Sequence, residues 1–290
     1  MAIHATGKAD WVDDPPAIVL RELLKPGRER KYLNPKPYLG TYYYLCNTER
    51  KPLDDVRVRR ALALALDREE ITRTAVAAGE LPAFNMVPPG MPDYEGPTLG
   101  AENVAEARRL LAEAGYPDGR GFPRIDILYN TLESHQTVAQ LARKQWQRNL
   151  GINVSTRNEE WASFQSQLRQ QEYNIARRGW IGDYIDPSTY LDIMVTDCEN
   201  NNTGWSNVEY DRLIDAARNE PDEAKRVELF RQAERILMDE VPIIPIYFYV
   251  SKSMVQPYVR GFYGNLLDNH PLRSMWIDHD TTEPNEYMRY

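Results

Sequence analysis

Three stretches of sequence decide the predicted fold: RIDILYN at 124–130, INVSTR at 152–157 and YNIARRGW at 173–180. Each is a short run rich in β-branched and aromatic residues, which favour strands. Helical patterns lie between them, over Ser134–Leu150 and then over Glu160–Gln170. Strands that alternate with helices of this length form a mixed or parallel sheet with helices on its faces, so the predicted class is α/β.

The flanking sequence extends the same pattern in both directions. Asp or Asn residues that can cap helices, and apolar residues at helical or strand spacing, mark the additional elements. The predicted elements are a strand over Thr41–Asn47, helices that begin at Asp55 and at Asp67 with a stop at Gly79, a loop over Pro82–Gly100, helices over Asn103–Ala114, Val208–Asn219 and Asp222–Met238, and a buried strand over Pro242–Val250.

Composition excludes several classes of function. The chain has 290 residues and a formal charge of −8, without the basic stripe of a nucleic-acid-binding protein. No apolar run is long enough to span a bilayer, and residues 1–7 do not resemble a secretory signal. Four histidines and two cysteines, Cys46 and Cys198, match no metal motif, and two separate thiols are expected. We therefore expect a protein without a metal or cofactor.

Five sequence motifs occur in the order found in a known family. Together they cover most of the chain. They are LDDVRVRRAL (53–62) followed by ALDR (65–68), RRLLAEAGY (108–116), INV (152–154) with Trp161, NIARRGW (174–180) with Asp183-Tyr184 and Asp186-Pro187-Ser188, and PIIPIY (242–247). This sequence resembles the family 5 solute-binding proteins, which serve peptide, dipeptide and nickel ABC importers, and it is most similar to the oligopeptide-binding branch.

The resemblance implies a fold and a location. It implies a periplasmic-binding-protein-like lobe of type II, a mixed sheet flanked by helices, with most of the N-terminal lobe missing. Residues 1–40 would be a lead-in from the first lobe or hinge, residues 41–250 the second ligand-binding lobe, and residues 251–290 a return toward the first lobe that ends in a frayed tail. The protein would be periplasmic or extracytoplasmic, and it would meet the membrane only through the permease subunits of its importer.

The resemblance also implies how a peptide would be held. Asp183 would pair with the α-ammonium group of the ligand, since a carboxylate in a closing cleft forms a charge-assisted hydrogen bond. The backbone from Gly179 to Ile181 would add the ligand as a further strand, and Gly179 would permit close approach. A turn-forming aspartate is the structural alternative for Asp183.

Four further side chains complete the predicted site. Trp180 and Trp161 would line pockets for ligand side chains, although a lone tryptophan is often a core residue. Arg177 would approach the ligand carboxylate with its planar guanidinium. His135 would reach the C-terminus of longer peptides, or would simply be a surface histidine at a helix start.

One departure from the oligopeptide branch concerns a disulfide. Two cysteines can pair in that branch, and the matching positions here are Gly40 and Ile181, so the resemblance implies no such bridge in this chain.

Three alternatives to oligopeptide capture remain open. The chain is a half-domain that binds no peptide and acts as an interaction module, or it carries another cargo such as nickel, a dipeptide, an opine or a sugar. The third is a hydrolase that uses Asp183 and Asp186 as acid and base, but no nucleophile, metal set or phosphate loop accompanies these two carboxylates.

Overall fold

A computed structural model describes residues 8–13, 15–25, 33–281 and 285–289. The strands are β1 (Trp11–Val12), β2 (Lys36–Cys46), β3 (Leu81–Pro82), β4 (Ile125–Asn130), β5 (Val154–Glu159), β6 (Ile175–Ile181), β7 (Ile243–Ser251), β8 (Met254–Val255), β9 (Val259–Arg260) and β10 (Trp276–Ile277). The helices are α1 (Ala17–Leu23), α2 (Val56–Leu64), α3 (Arg68–Glu70, continued by a π-helix over Ile71–Val76), α4 (Val104–Glu113), α5 (Glu133–Leu150), α6 (Trp161–Arg169), α7 (Ser188–Leu191), α8 (Val208–Asn219), α9 (Glu223–Glu240) and α10 (Glu286–Arg289).

A six-stranded sheet forms the centre of the molecule, in the order β3-β7-β2-β6-β4-β5. β4 runs parallel to both β5 and β6, whereas β2 runs antiparallel to β6 and β7, and β3 antiparallel to β7. The sheet is therefore mixed and flanked by helices, as predicted.

Helices cover both faces of the sheet because the side chains of its strands alternate between two cores. On β2, Tyr42 and Tyr44 belong to one core, in which the ring of Tyr44 lies 6.2 Å from that of Trp146 on α5. Tyr43 belongs to the other core, which includes Phe230 on α9. Strands covered on both faces are typical of this three-layer arrangement.

Side-chain capping fixes the N-termini of several helices, but one predicted helix end is wrong. Asp67 accepts a hydrogen bond from the Glu70 N–H at 2.8 Å, as the capping pattern predicts. The helix was expected to end at Gly79. Instead, the Ala77 N–H donates to the Thr72 carbonyl at 2.8 Å, a π-type bond, and Ala77 takes a left-handed conformation (φ 51°). This wider turn ends the helix two residues early.

The N-terminal segment packs against the segment that follows β7. β1 pairs with β8, with Trp11 opposite Val255. The tail was expected to be frayed, but Tyr287 is fully buried and its ring lies 5.1 Å from that of Phe262. Burial of an aromatic ring is favourable, so it holds the chain around Tyr287 in its packed position. Residues 282–284 and 290 lie outside the described residues, as do residues 1–7, on which the prediction about a secretory signal rests.

Both cysteines are free, Cys46 in the core and Cys198 half-buried, as expected for separate thiols. Within the described ranges, no helix combines the length and apolar character needed to cross a membrane.

Candidate functional site

The carboxyl ends of three parallel strands bring the predicted site residues to one edge of the sheet. Because β4 is parallel to β5 and to β6, the segments that follow these strands meet at the same edge, where ligands of open α/β sheets usually bind. His135 follows β4, Trp161 follows β5 and Asp183 follows β6. The topology therefore places at one edge residues that are far apart in sequence.

Most of β6 has a strand on one side only. All of its residues, Ile175–Ile181, pair with β2, but pairing with β4 is limited to Ile175 and Ala176. From Arg177 to Ile181, the side of β6 that faces away from β2 pairs with no other strand in the described part of the chain. This stretch is called the open edge below.

The hydrogen-bond register shows which backbone groups face the open edge. The Gly182 N–H donates to the Leu39 carbonyl at 2.8 Å. Bonded and non-bonded pairs alternate in an antiparallel ladder, so Trp180 and Arg178 also bond to β2. The N–H and C=O groups of Arg177, Gly179 and Ile181 therefore point away from β2. The open edge offers a row of donors and acceptors at strand spacing.

A cavity of about 610 Å³ lies beside the open edge. Three of the predicted ligand-binding residues line it, namely Arg177, Ile181 and His135. The other four, Gly179, Trp180, Asp183 and Trp161, are not among its lining residues.

Arg177 is a fixed cation in the wall of this cavity. Its Nη1 donates to Asn130 Oδ1 at 3.3 Å and its Nη2 donates to Tyr249 Oη at 3.2 Å. The guanidinium also lies over the Tyr42 ring, 5.2 Å from the centroid. A half-buried charge with these neutral partners keeps an attraction for an anion.

His135 is buried and neutral, so the prediction of a surface histidine is wrong. Only 4% of the residue is exposed. Burial, followed by the positive charge of Arg177, lowers the pKa of His135 to about 3. Its Nδ1 is buried and has no hydrogen-bond partner among the described residues. A neutral imidazole beside Arg177 adds polarity to the cavity but no charge.

Neighbouring side chains of this chain leave no room for a side chain at Gly179. A Cβ atom at Gly179 would lie 2.8 Å from Tyr249 Oη and 3.3 Å from Arg177 Nη2. Gly40 is similarly constrained, since its Cβ would lie 2.6 Å from the Cδ1 atom of Ile181, the residue directly opposite it on β6. Gly40 and Ile181, the positions that the resemblance matches to a cysteine pair, therefore face each other.

The structure does not bring the two predicted tryptophans to the cavity. Trp180 alternates with Arg177 and Ile181 and so lies on the opposite face of the sheet, where it packs against the second core. Its Nε1 atom is buried and has no partner among the described residues. Trp161 is 54% exposed and stacks on Phe164 with ring centroids 5.9 Å apart.

Asp183 is exposed just beyond the open edge. Its N–H donates to Thr189 Oγ1 at 3.1 Å, while its carboxylate forms no hydrogen bond or ion pair within the described ranges. Asp186, in contrast, accepts two hydrogen bonds from Arg226, at 2.6 and 2.9 Å. Burial tends to raise the pKa of Asp186, but the bonds from Arg226 and Ser188 outweigh it and lower the pKa. Of the two carboxylates, only Asp183 is available to a ligand.

Sequence reasoning missed several residues of the cavity. Tyr249 touches Arg177 and limits Gly179, and Lys252 forms a 2.7 Å ion pair with Glu80 in the same wall. One signal was present for Tyr249. It lies two residues after Tyr247 on β7, and residues two apart on a strand point to the same face of the sheet.

Comparisons with known proteins show which family this chain resembles. Residues 1–202 match the sequence model of the bacterial extracellular solute-binding proteins, family 5 Middle. The oligopeptide-binding protein OppA of Bacillus subtilis is 35% identical over 263 residues, 88% of this chain and 48% of that protein. The periplasmic oligopeptide-binding protein OppA of Salmonella typhimurium is 37% identical over 249 residues, 83% of this chain and 46% of that protein.

Solved structures agree as well. The Escherichia coli murein tripeptide binding protein MppA superposes with a TM-score of 0.82 at 31% identity, over 95% of this chain and 55% of that one. The Haemophilus influenzae OppA complex with RPPGFSPFR gives a TM-score of 0.79 at 31% identity, with the same coverage. The chain spans about half the length of the relatives that it matches.

Proposed function

Because the chain belongs to family 5 of the bacterial extracellular solute-binding proteins, we propose that it is the second ligand-binding lobe of the peptide-capturing component of an ABC importer. The open edge of β6, followed directly by the unpaired carboxylate of Asp183, is the observation that carries this proposal. It supplies the two groups that every peptide requires, a strand partner and an anion for the amine.

The ligand backbone adds to β6 as a new strand. Arg177, Gly179 and Ile181 direct their main-chain groups toward the open edge, so they pair with a peptide whatever its side chains are. Backbone pairing gives affinity without selecting a sequence. This suits a protein that takes up mixed peptides.

Charges fix the two ends of the ligand. Asp183 binds the α-ammonium group, because an exposed carboxylate without a partner gains a charge-assisted hydrogen bond when a ligand arrives. Arg177 attracts the ligand carboxylate from the cavity wall, and neutral His135 beside it hydrogen-bonds without adding charge. Ile181 supplies apolar contact at the cavity rim. Trp180 and Trp161 lie outside this cavity, on the side of the second core, and would line pockets for ligand side chains there.

The predicted division of the chain has structural support. β1 pairs with β8, so the described parts of the lead-in (1–40) and of the return (251–290) lie together here, as two segments of the first lobe would. β2 and β7 extend across the boundaries at 40 and 250, as strands that pass through a hinge do. We assign residues 41–250 to the second lobe on this basis.

The whole protein acts outside the cytoplasm and delivers peptides to the permease subunits of its importer. Three relatives are named as periplasmic oligopeptide-binding proteins. Contact with the membrane occurs only through the permease. We propose a binding role and no catalytic one; the hold of Arg226 on Asp186, which leaves Asp183 without an acid-base partner, supports this.

A second candidate function is an interaction module without a peptide ligand. Exposed apolar side chains surround the carboxyl edge of the sheet, and such a patch is typical of a docking surface. They are Leu132, Trp161, Ile181, Tyr184 and Ile185. Nickel, dipeptide, opine and sugar cargoes are further alternatives within the family. Nickel and sugars have no peptide backbone and would leave the open edge of β6 unused, whereas a dipeptide would pair with only a short part of it.

Calorimetry on the chain distinguishes these functions. A pool of mixed tripeptides should give saturable heat, and the same pool with acetylated N-termini should bind at least tenfold more weakly, the value of a charge-assisted bond. Asp183→Asn should abolish this difference, whereas Asp118→Asn, in an exposed turn, should retain it. Equal binding of both pools, or no binding of either, would contradict the proposal.

A further inference from the structure

The turn that carries Asp183 is fixed at its beginning by close packing. Gly182 donates its N–H to the Leu39 carbonyl at 2.8 Å. A Cβ atom on Gly182 would lie 2.8 Å from Leu39 Cδ2 and 3.0 Å from Thr189 Cγ2, so the chain passes between these side chains. Since the Asp183 carboxylate has no partner of its own, the backbone of this turn sets its position.

The far end of the turn is fixed by Asp186. Its Oδ1 accepts the Ser188 N–H at 2.9 Å and its carbonyl accepts the Thr189 N–H at 3.3 Å. Thr189 Oγ1 in turn accepts the Asp183 N–H at 3.1 Å. A displacement of Asp186 would therefore reach Asp183 through Thr189.

Arg226 on α9 holds Asp186 from outside the turn. Its two hydrogen bonds form a bidentate pair, the geometry that best fixes a carboxylate. The Arg226 guanidinium lies over the Phe230 ring, 4.7 Å from the centroid, and Phe230 is fully buried in the second core. The arginine is thus held by the core on one side and holds the turn on the other.

We propose that Arg226 is a positioning residue for the amine-binding carboxylate, acting on Asp183 through Asp186 and Thr189; this inference rests on the proposed role of Asp183. Arg226 does not touch the ligand. It keeps the turn in the conformation in which Asp183 faces the end of the open edge, so that binding the ammonium group requires no reordering of the turn.

Affinity measurements separate positioning from a general effect on the fold. The readout is the ratio of affinities for a free-amine tripeptide and its N-acetyl analogue, which we call the amine ratio. Arg226→Met should lower the amine ratio roughly fivefold or more and leave the affinity for the acetyl analogue within about twofold. Arg226→Lys should behave similarly, because an ammonium group retains the charge but loses the bidentate bonds.

A matched control and a double mutant make the result specific. Arg212 on α8 also forms a bidentate pair, with Glu209 at 2.8 and 2.6 Å, but that pair lies within one helix and away from the turn. Arg212→Met should leave the amine ratio unchanged. When Asp183→Asn is already present, Arg226→Met should cause no further loss, since Arg226 acts only through Asp183. An additive loss would overturn the inference.

Hydrogen exchange of the free chain tests the positioning without a ligand. Arg226→Met should accelerate exchange of the Asp183 and Ser188 amides roughly tenfold, and Arg212→Met should not. Unchanged exchange in Arg226→Met would overturn the positioning role even if peptides bind. A wild-type chain with an amine ratio near one would instead overturn the role of Asp183, and the exchange data would still decide whether Arg226 orders the turn.

Discussion

Glu234 makes the stability of this fold depend on pH. The carboxylate is fully buried on α9, where it accepts the N–H groups of Met86 and Val87 at 2.8 and 2.9 Å and the Tyr94 hydroxyl at 2.6 Å. Burial is the largest influence and raises the pKa of Glu234 from 4.5 to about 7, although the three donors act in the opposite direction. The carboxylate anchors the loop of residues 82–100 to the helix layer.

The sign and size of the effect follow from this shift. The folded chain holds the proton more tightly than the unfolded chain, so the contribution is fully present below pH 4.5 and is lost as the pH rises toward 7. The difference between 7 and 4.5 is 2.5 pKa units. At about 1.36 kcal/mol per unit, this corresponds to a loss of about 3 kcal/mol of unfolding free energy.

Glu234→Gln should remove this dependence. The amide resembles the protonated acid, retains an acceptor for the two backbone N–H groups and carries no charge. Urea unfolding at pH values from 4.5 to 8 measures the effect. The unfolding free energy of the variant minus that of the wild type should increase by up to about 3 kcal/mol as the pH rises. Glu228→Gln, at an exposed position of the same helix, should show no such trend. If the Glu234→Gln curve stays parallel to that of the wild type, the account of this carboxylate is wrong.

Three further perturbations test the site and the core. Gly40→Ala should destabilise the chain by about 1–3 kcal/mol in urea unfolding, since its Cβ would lie 2.8 Å from a ring carbon of Tyr249; unchanged stability would show that the ring moves aside freely. Arg177→Met should weaken binding of free-carboxylate peptides, but not of their C-terminal amides, by roughly tenfold in calorimetry, and an equal loss for both would argue against carboxylate capture. A thiol reagent should label Cys198 but not Cys46 in the folded chain, because burial raises the pKa of the Cys46 thiol to about 12. It should label both cysteines in urea, and rapid labelling of both in the folded chain would contradict the packing.

The elements that were predicted well depend on neighbours in sequence. The predicted bounds of α8, Val208–Asn219, are those observed, because Asn207 caps the helix through residues two and three positions later. The strand predicted over Tyr173–Trp180 is observed as β6, Ile175–Ile181, whereas the ladder that Gly179 to Ile181 would form with a ligand stays a prediction.

The elements that were missed depend on distant contacts. Tyr249 meets Arg177 and Gly179 because β2 lies between β7 and β6, and the register of β2 against β7 shifts between Pro37 and Thr41. No local pattern encodes such a shift. The burial of His135 and of Tyr287 likewise depends on segments far away in the chain, since His135 stands beside Tyr42.

Amide exchange along β6 tests strand addition most directly. In the free chain, the N–H groups of Arg178 and Trp180 should be protected by β2, while those of Gly179 and Ile181 should exchange faster. A saturating tripeptide should slow exchange at Gly179 and Ile181 and leave Arg178 and Trp180 unchanged. If peptide binds while the amides of Gly179 and Ile181 exchange as before, the ligand does not pair with this strand and the account fails.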